Sequence, residues 1–322
     1  MLRANKYLVA MMLAMVSWGI GNPIADIAIE FIDPVSFFVI EIVSGLLLFF
    51  VVALVVPSLR TAIRQVPWKL ALPFGLIQPG LAYLLGNIGW QYGTVTTGAI
   101  LMSSEVIFLA IGGALFLREK LNAWSVVALL MGVTGAIIVG IAGQSSNPET
   151  AGQTVSISGL TVSAGLVGAL AFLGVGLCGA IYGLLMRRLS SDVNTIALTL
   201  GQMTSASFFS VIVLFATQTN LATPQSVGSY FYVAIFAGVI GTTLPFLLFN
   251  FAAPKLTTKQ TALTLNIIPV IAIISGAILG RGLPVGAQYV GIVLVLVSLL
   301  ALESGHDEET ESALASPAFP KS

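Results

Sequence analysis

Apolar runs of membrane-spanning length recur along this chain. The hydrocarbon core of a bilayer requires about 20 apolar residues in helical form, and helices satisfy every backbone polar group internally. Runs of this kind fall near 7–29, 34–56, 69–91, 97–117, 122–142, 162–186, 193–216, 229–251, 259–280 and 284–302. With 57% hydrophobic and 8% charged residues, the composition also lies far from that of soluble domains. The sequence therefore predicts an all-α membrane protein with ten transmembrane helices.

An internal repeat divides these spans into two equal sets. Residues 87–142 and 250–305 can be overlaid without a gap. The overlay places Asn87 on Asn250, Ala99 on Ala262 and Gly113 on Gly276. Each segment follows two earlier apolar spans, so the chain is predicted to contain two five-helix repeats of opposite orientation. The expected organisation is a first repeat at 1–142, an external linker at 143–158, a second repeat at 159–302 and a disordered cytoplasmic tail at 303–322.

The basic residues predict the orientation of the chain. Lys and Arg concentrate in the cytoplasmic loops of membrane proteins. With a cytoplasmic N-terminus, twelve of the thirteen fall inside: Arg3, Lys6, Arg60, Arg64, Lys69, Arg118, Lys120, Arg187, Arg188, Lys255, Lys259 and Lys321. Only Arg281 falls outside, so we expect both termini to be cytoplasmic.

Several classes of function fit the sequence poorly. The net charge is zero, which argues against nucleic acid as a partner. The single cysteine, Cys178, and the single histidine, His306 in the polar tail, provide neither a disulfide nor a histidine-dependent catalytic or zinc site within the spans. No cofactor is expected. No selectivity-filter loop of a channel is visible. An enzyme is therefore not predicted, although Glu41 and Glu105 are chemically capable of acid–base work.

Two acidic residues lie well inside predicted spans. Glu41 is in the second span and Glu105 is in the fourth, with no Lys or Arg at the same depth. A charged side chain at the bilayer centre costs about 2.5–3.5 kcal/mol on insertion scales, so such a residue faces a cavity, finds a partner or becomes protonated. A functional reading assigns the two carboxyls to a proton or to a cationic group of a substrate. The alternative is a protonated carboxyl that forms a hydrogen bond for packing.

A polar and aromatic stripe marks the third span. Tyr83, Asn87 and Trp90 follow each other at i, i+4 and i+7 and therefore share one helical face. This pattern suits a partly hydrated cavity, but it equally suits helix–helix hydrogen bonding and packing. The further candidates for the same site are Trp18, Asn22, Gln202, Asn250 and Asn266.

Glycines and prolines interrupt several spans. Pro23, Pro79, Pro245 and Pro269 each lie within an apolar run, where proline removes a helical hydrogen bond. They indicate either a binding site or a packed kink. The segment 174–179 matches the Gly-x-Gly-x-x-Gly dinucleotide pattern. It lies inside an apolar span without the strand context that this motif requires, so we interpret its glycines as helix-packing positions.

Two groups of residues resemble the EamA-type repeat of the drug/metabolite transporter superfamily. In the first half they are Trp18-Gly19, 104–108 and 117–121; in the second they are Pro269-Val270, Gly276 and Gly282-x-Pro284. The resemblance implies a ten-helix carrier with a central cavity between its halves, many members being exporters of amino acids, other metabolites or drugs.

Three positions depart from that family pattern. Val106 stands where the first repeat commonly has proline, and Gly282 stands where the second often has glutamate. Glu41 lies near a position that is often basic, so its negative charge favours cationic or zwitterionic substrates over anionic ones.

The sequence therefore predicts a secondary transporter of small metabolites. We expect a multi-pass protein of the inner or plasma membrane that works by alternating access, most simply as an exporter, with protons as one candidate coupling ion. Its expected partners are a small-molecule substrate and the lipid bilayer; monomer and homodimer both stay open. An uncoupled facilitator or importer, in which the carboxyls only organise hydrogen bonds, is the alternative.

Overall fold

The fold is almost entirely helical, as the sequence predicts. The computed structural model describes residues 2–55, 57–116, 123–146, 152–157, 160–186, 193–256, 264–265, 267–281, 283–284 and 286–298. The long apolar runs become helices because the hydrocarbon core offers no other partner for their backbone N–H and C=O groups. The helices of the first part are α1 (Leu2–Ile29), α2 (Pro34–Val55), α3 (Pro57–Arg64), α4 (Trp68–Gly75), α5 (Ala82–Tyr92), α6 (Val95–Met102), α7 (Ser104–Phe116) and α8 (Ala123–Ser146).

The second part begins with a small hairpin and continues with seven helices. Strand β1 (Thr154–Ile157) lies in the predicted linker and pairs antiparallel with β2 (Leu160–Ser163), which lies at the start of the predicted second repeat. The sixth span therefore begins at Ala164 rather than at 162. The helices are α9 (Ala164–Met186), α10 (Thr195–Thr217), α11 (Pro224–Val227), α12 (Tyr230–Phe236), α13 (Leu244–Ala252), α14 (Ile267–Ile278) and α15 (Gln288–Ser298).

Among the described residues, seven helical segments are long and apolar enough to cross a membrane. They are Lys6–Ile29, Pro34–Val52, Trp68–Tyr92, Val95–Phe116, Ala164–Met186, Thr195–Thr217 and Tyr230–Ala252. Three shorter apolar helices, Val126–Val139, Ile267–Ile278 and Gln288–Ser298, lie where the other three spans are predicted. The protein is thus a multi-pass membrane protein, while the count of ten spans and their inverted arrangement stay predictions.

Two spans are irregular at matching places: the first is kinked at Gln78, and the second contains a π-helical segment. The π1 segment, Leu76–Leu81, separates α4 from α5, and the π2 segment, Ala237–Thr243, separates α12 from α13. If the offset that relates residues 87–142 to 250–305 is continued towards the N-terminus, residues 76–81 fall on 239–244, so the two irregularities nearly coincide. Because irregular turns within helices are frequent at functional sites, both segments direct attention to the space beside them.

Elsewhere, the positions at which helices are interrupted differ from the positions of the prolines. Helix α1 continues through Pro23 without a break, and Pro269 lies in the first turn of α14. An interruption that no proline announces separates α6 from α7 at Ser103. The chain therefore bends beside Glu105 even though Val106 replaces the proline of the family pattern.

Helices from the two parts of the chain pack closely on each other. Helix α1 packs against α13 and α14, α2 against α10, and α5 against α9. Glycines permit the closest approaches: a Cβ atom added to Gly21 would lie 2.7 Å from Cα of Gly241 in π2. At one end of the bundle, Arg281 pairs with Asp26 and Glu30 at the end of α1. These contacts hold the two parts together around a central space.

Candidate functional site

A cavity occupies the centre of the bundle. It contains about 1120 Å³ of space when its open mouth is included, and its walls come from α1, α2, α5, α6, α7, α9, α13, α14 and the two π segments. Seven predicted site residues line it: Trp18, Asn22, Glu41, Tyr83, Asn87, Trp90 and Glu105. The structure thus brings together residues that are up to 87 positions apart in the sequence. Asn266 lies outside the described residues.

Glu41 is held at the wall of this cavity by two donors. Its side chain is only 3% exposed. The Thr242 hydroxyl of π2 donates to Oε1 over 2.9 Å, and the Asn87 amide of α5 donates to Oε2 over 3.3 Å. Hydrogen bonds of this kind offset part of the cost of burying a carboxyl. Both carboxyl oxygens of Glu41 therefore already have protein partners.

Glu105 lies in the same cavity but has different surroundings from Glu41. It occupies the first turn of α7, directly after the interruption at Ser103, and its side chain is partly buried. No hydrogen bond joins its carboxyl to any residue that the structure describes. The N-terminus of a helix carries a partial positive charge, which favours a carboxylate in the first turn. Glu105 is therefore the carboxyl in the cavity that is open to a proton or a ligand.

Glycines of α9 make room for this carboxyl. A Cβ atom added to Gly179 would lie 2.5 Å from both Cδ and Oε2 of Glu105, and one added to Gly176 would lie 2.5 Å from Oγ of Ser104. A Cβ atom on Gly174 would meet Leu85 of α5 at 2.8 Å. The glycines of the segment 174–179 thus lie inside a helix and serve its packing, as the sequence context predicts.

A chain of hydrogen bonds connects α1, α5 and π2. The Trp18 indole N–H donates to the Tyr83 hydroxyl over 2.9 Å, and the Tyr83 hydroxyl donates to the Gly241 carbonyl over 2.9 Å. The Ser17 hydroxyl also donates to π2, reaching the Ile240 carbonyl over 2.6 Å. Side chains of the first part of the chain therefore bind backbone carbonyls of the irregular segment in the second part.

Gln202 and Asn250 lie behind the cavity wall and do not line it. Both are completely buried. The Asn250 amide donates to Oε1 of Gln202 over 3.1 Å and to the Thr199 hydroxyl over 2.7 Å. Tyr182, which does line the cavity, completes the cluster. Its hydroxyl donates to Oδ1 of Asn250 over 2.9 Å and accepts from Nε2 of Gln202 over 3.2 Å. The two predicted residues thus fix the position of a tyrosine that faces the cavity.

Aromatic rings form much of the remaining wall. Trp18 meets Phe246 edge to face with ring centroids 5.2 Å apart, and Trp90 meets Phe172 in the same way at 4.6 Å. Such contacts hold the rings in fixed positions. The wall therefore combines rigid aromatic groups with a small number of polar ones, a composition typical of small-molecule sites.

The predicted site leaves out four polar members: Tyr182, Thr242, Gln78 and Ser103. Tyr182 is a tyrosine in mid-span, as Tyr83 is, and this similarity was the available signal. Thr242 stands next to Thr243 between Gly241 and Pro245, and such a threonine pair in an apolar span has no distinguishing pattern. Gln78 has non-helical φ and ψ of −141° and 114° within π1, and it lines the cavity.

Comparison with known proteins now defines the class. A multi-pass helical protein with a central cavity has the form of a membrane transporter, and the family model described as the EamA-like transporter family matches residues 5–141 and again 166–303. The chain belongs to the EamA-like transporter family. The resemblance that the sequence motifs carry is thereby confirmed.

Named relatives are similar over most of this chain. The uncharacterized transporter YvbV of Bacillus subtilis (strain 168) is 23% identical over 302 residues, which cover 93% of this chain and 92% of that protein. The uncharacterized transporter YyaM of the same organism is 25% identical over 66% of each chain. An uncharacterized transporter of Archaeoglobus fulgidus is 23% identical over 85% of this chain and 90% of its own. These names agree on transport and name no substrate.

A solved crystal structure shares the fold. It superposes with a TM-score of 0.63 over 97% of this chain and 99% of its own length, at 15% sequence identity. The similarity extends over nearly the whole chain and concerns the fold alone.

Proposed function

We propose that this protein is a secondary transporter of small metabolites that carry a positive charge, either zwitterionic or cationic. The observation that carries the proposal is the partly buried Glu105 carboxyl, which faces a central cavity and has no hydrogen bond to any described residue. A cavity between two repeated halves is the arrangement in which secondary transporters bind their substrates. An intramembrane carboxyl without a partner is expensive unless it binds an ion or a substrate.

Glu105 is the residue that takes up a proton or the positive end of the substrate. Glu41, with two hydrogen bonds, shapes the site and contributes negative charge. Trp18, Asn22, Tyr83, Asn87 and Trp90 contact the substrate. Gln202 and Asn250 act from behind the wall by positioning Tyr182, and Asn266 is a candidate for the opposite side of the site. The direction of net movement is export, driven by the entry of protons.

The mechanism is alternating access between two inverted five-helix repeats, 1–142 and 159–302, joined by an external linker at 143–158. Ten spans place both termini and the tail 303–322 in the cytoplasm. The distribution of Lys and Arg supports this orientation. The repeated π segments support a symmetric motion, because both stand beside the cavity at nearly corresponding places.

Efflux from proteoliposomes tests the proposal. The vesicles are loaded with amino acids and organic cations, and movement is compared with and without an imposed pH gradient. Wild-type protein is expected to move one class of solute in response to the gradient. In Glu105→Gln the gradient response is expected to disappear, because the amide neither releases a proton nor balances a positive charge.

Glu41→Gln is the matched control, since it makes the same chemical change in the same cavity at a carboxyl that already has two donors. It is expected to slow movement while the response to the gradient persists. Full gradient-driven transport by Glu105→Gln contradicts the assignment of Glu105. Movement of solute that ignores the gradient even in wild type identifies an uncoupled facilitator instead.

A further inference from the structure

The charge of the cavity wall is one-sided. Among the described residues that line it, Glu41 and Glu105 are the acidic ones, and none is Lys, Arg or His. Arg281, at one end of the bundle, is already paired with Asp26 and Glu30 and does not line the cavity. A substrate carboxylate would therefore enter a site that offers it no opposite charge.

The hydrogen-bond donors of the wall are also largely engaged. The Trp18 indole donates to Tyr83, the Tyr83 hydroxyl to the Gly241 carbonyl and the Tyr182 hydroxyl to Asn250. The Asn87 amide donates to Glu41, and the Ser103 hydroxyl donates to the Ala99 carbonyl over 2.8 Å. Apart from the second N–H of the Asn87 amide, each of these donors serves the protein itself and is not available to a ligand without breaking a bond.

Acceptors, in contrast, are available. The Glu105 carboxyl faces the cavity without a hydrogen bond to any described residue. Oε1 of Gln78 is buried with no hydrogen-bond partner in the part of the chain that the structure describes. Burial of an unsatisfied polar atom costs about 1–3 kcal/mol. The wall therefore has unused capacity for a ligand that donates hydrogen bonds and carries positive charge.

The aromatic part of the wall favours the same ligand. Six aromatic residues line the cavity: Trp18, Tyr83, Trp90, Tyr182, Phe246 and Phe249. Aromatic rings attract cations through the negative potential of their faces. Neutral donors remain in the amides of Asn22 and Gln78 and in the Trp90 indole. They suit a hydroxyl or carbonyl group, but they do not balance the charge of a carboxylate.

Resting on the proposed transport function, we infer that the cavity selects organic amines without a carboxylate over the zwitterionic amino acids of the same skeleton. The ammonium group lies at Glu105, with Gln78 as a second acceptor, and the organic part lies among the aromatic residues. A carboxylate added to the same molecule weakens binding because it is repelled by two glutamates and finds no cation.

Calorimetric titration of the full chain in nanodiscs tests this selectivity. The three probes are phenethylamine, phenylalanine and 3-phenylpropionate, which share a ring and differ in their charged groups. Phenethylamine is expected to bind at least about tenfold more tightly than phenylalanine, because juxtaposed like charges are strongly unfavourable. 3-Phenylpropionate is expected not to bind. Agmatine and arginine form a second pair with a longer skeleton.

Two variants locate the effect. In Glu105→Gln the preference for the amine is expected to fall towards parity with the amino acid. Glu30→Gln makes the same change at a carboxyl that does not line the cavity, and it is expected to retain the preference. Loss of the preference in Glu30→Gln but not in Glu105→Gln overturns the placement of the ammonium group.

The possible failures are distinguishable. Binding of phenylalanine as tightly as phenethylamine, or more tightly, overturns the inference and leaves the transport function intact. If neither amine binds, the inference also fails, and gradient-driven efflux of another solute then decides whether the protein is still a carrier. Absence of efflux for every solute in the loaded vesicles removes the proposed function itself.

Discussion

Two asparagines at matching positions of the repeat have different surroundings. Asn87 belongs to a first cluster with Glu41 and Thr242, whereas Asn250 belongs to a second cluster with Thr199, Gln202 and Tyr182. The first cluster contains a carboxyl and borders the cavity. The second consists of neutral groups, and only Tyr182 reaches the cavity. The same scaffold position thus supports charge in one half and neutral hydrogen bonding in the other.

The clusters also differ in what they connect. The first joins residues from both segments that match the family model, because Thr242 belongs to the later one and Glu41 and Asn87 to the earlier one. All four members of the second cluster belong to the later segment. A movement of one half against the other would therefore disturb the first cluster and leave the second unchanged. The comparison separates a contact between halves from a contact that stabilises one half.

Gln202→Glu places a carboxyl in the second cluster, as in the first, and is expected to reduce stability more than the other variants. The variant loses the Nε2 donor to Tyr182 and buries a carboxyl among the neutral side chains of Tyr182 and Asn250. We expect a loss of about 3 kcal/mol in the free energy of unfolding. Denaturant titration of the purified protein in detergent measures this loss of stability. Gln202→Met is the neutral control. An unchanged midpoint would show that both positions accept a carboxyl.

Asn250→Ala and Asn87→Ala compare the two asparagines directly. Asn250 forms three hydrogen bonds to side chains, and its removal leaves Thr199, Gln202 and Tyr182 each with one partner fewer. Asn87 forms one such bond, at 3.3 Å. We expect losses of about 2 kcal/mol for Asn250→Ala and about 1 kcal/mol for Asn87→Ala, measured in the same unfolding experiment. The reverse order would contradict the assignment of the second cluster to stability.

The smallest effects are expected at the two threonines. Thr199→Val removes the acceptor of the Asn250 amide and is expected to cost about 1 kcal/mol of stability with little effect on the transport rate. Thr242→Val removes a bond between the halves and is expected to change the transport rate more than the stability. Serine at either position keeps the hydroxyl and serves as the control. Equal effects of Thr199→Val and Thr242→Val on the transport rate would contradict the distinction between the two clusters.

The sequence predicts the helical fold and seven of the residues that line the cavity, because both follow from local patterns. An apolar run long enough to span a bilayer becomes a helix, and a glutamate such as Glu105 within it is conspicuous wherever the helix packs. The ion pair of Arg281 with Asp26 depends instead on which helices meet, and a sequence without tertiary information does not supply that.

The same limit explains why the sequence does not distinguish the two glutamates. Glu41 and Glu105 look equivalent in the sequence, and only the positions of Thr242 and Asn87 make one of them saturated and the other open. Pro79 lies within π1 and Pro245 lies shortly after π2, so these two prolines mark irregular spans because proline disrupts a helix locally. Pro23 was not disruptive, since a helix tolerates proline in a membrane when its neighbours compensate.

In the hydrogen bonds from Ser17 and Tyr83 to the carbonyls of Ile240 and Gly241, substitution can remove the donors more easily than the acceptors. A backbone carbonyl is present whatever the side chain, so substitution within π2 does not delete these acceptors. The donors, in contrast, are lost by a single substitution that converts serine to alanine or tyrosine to phenylalanine. Substitutions that remove these hydrogen bonds therefore arise in the first half of the gene, although the irregular backbone that accepts the bonds is encoded in the second half.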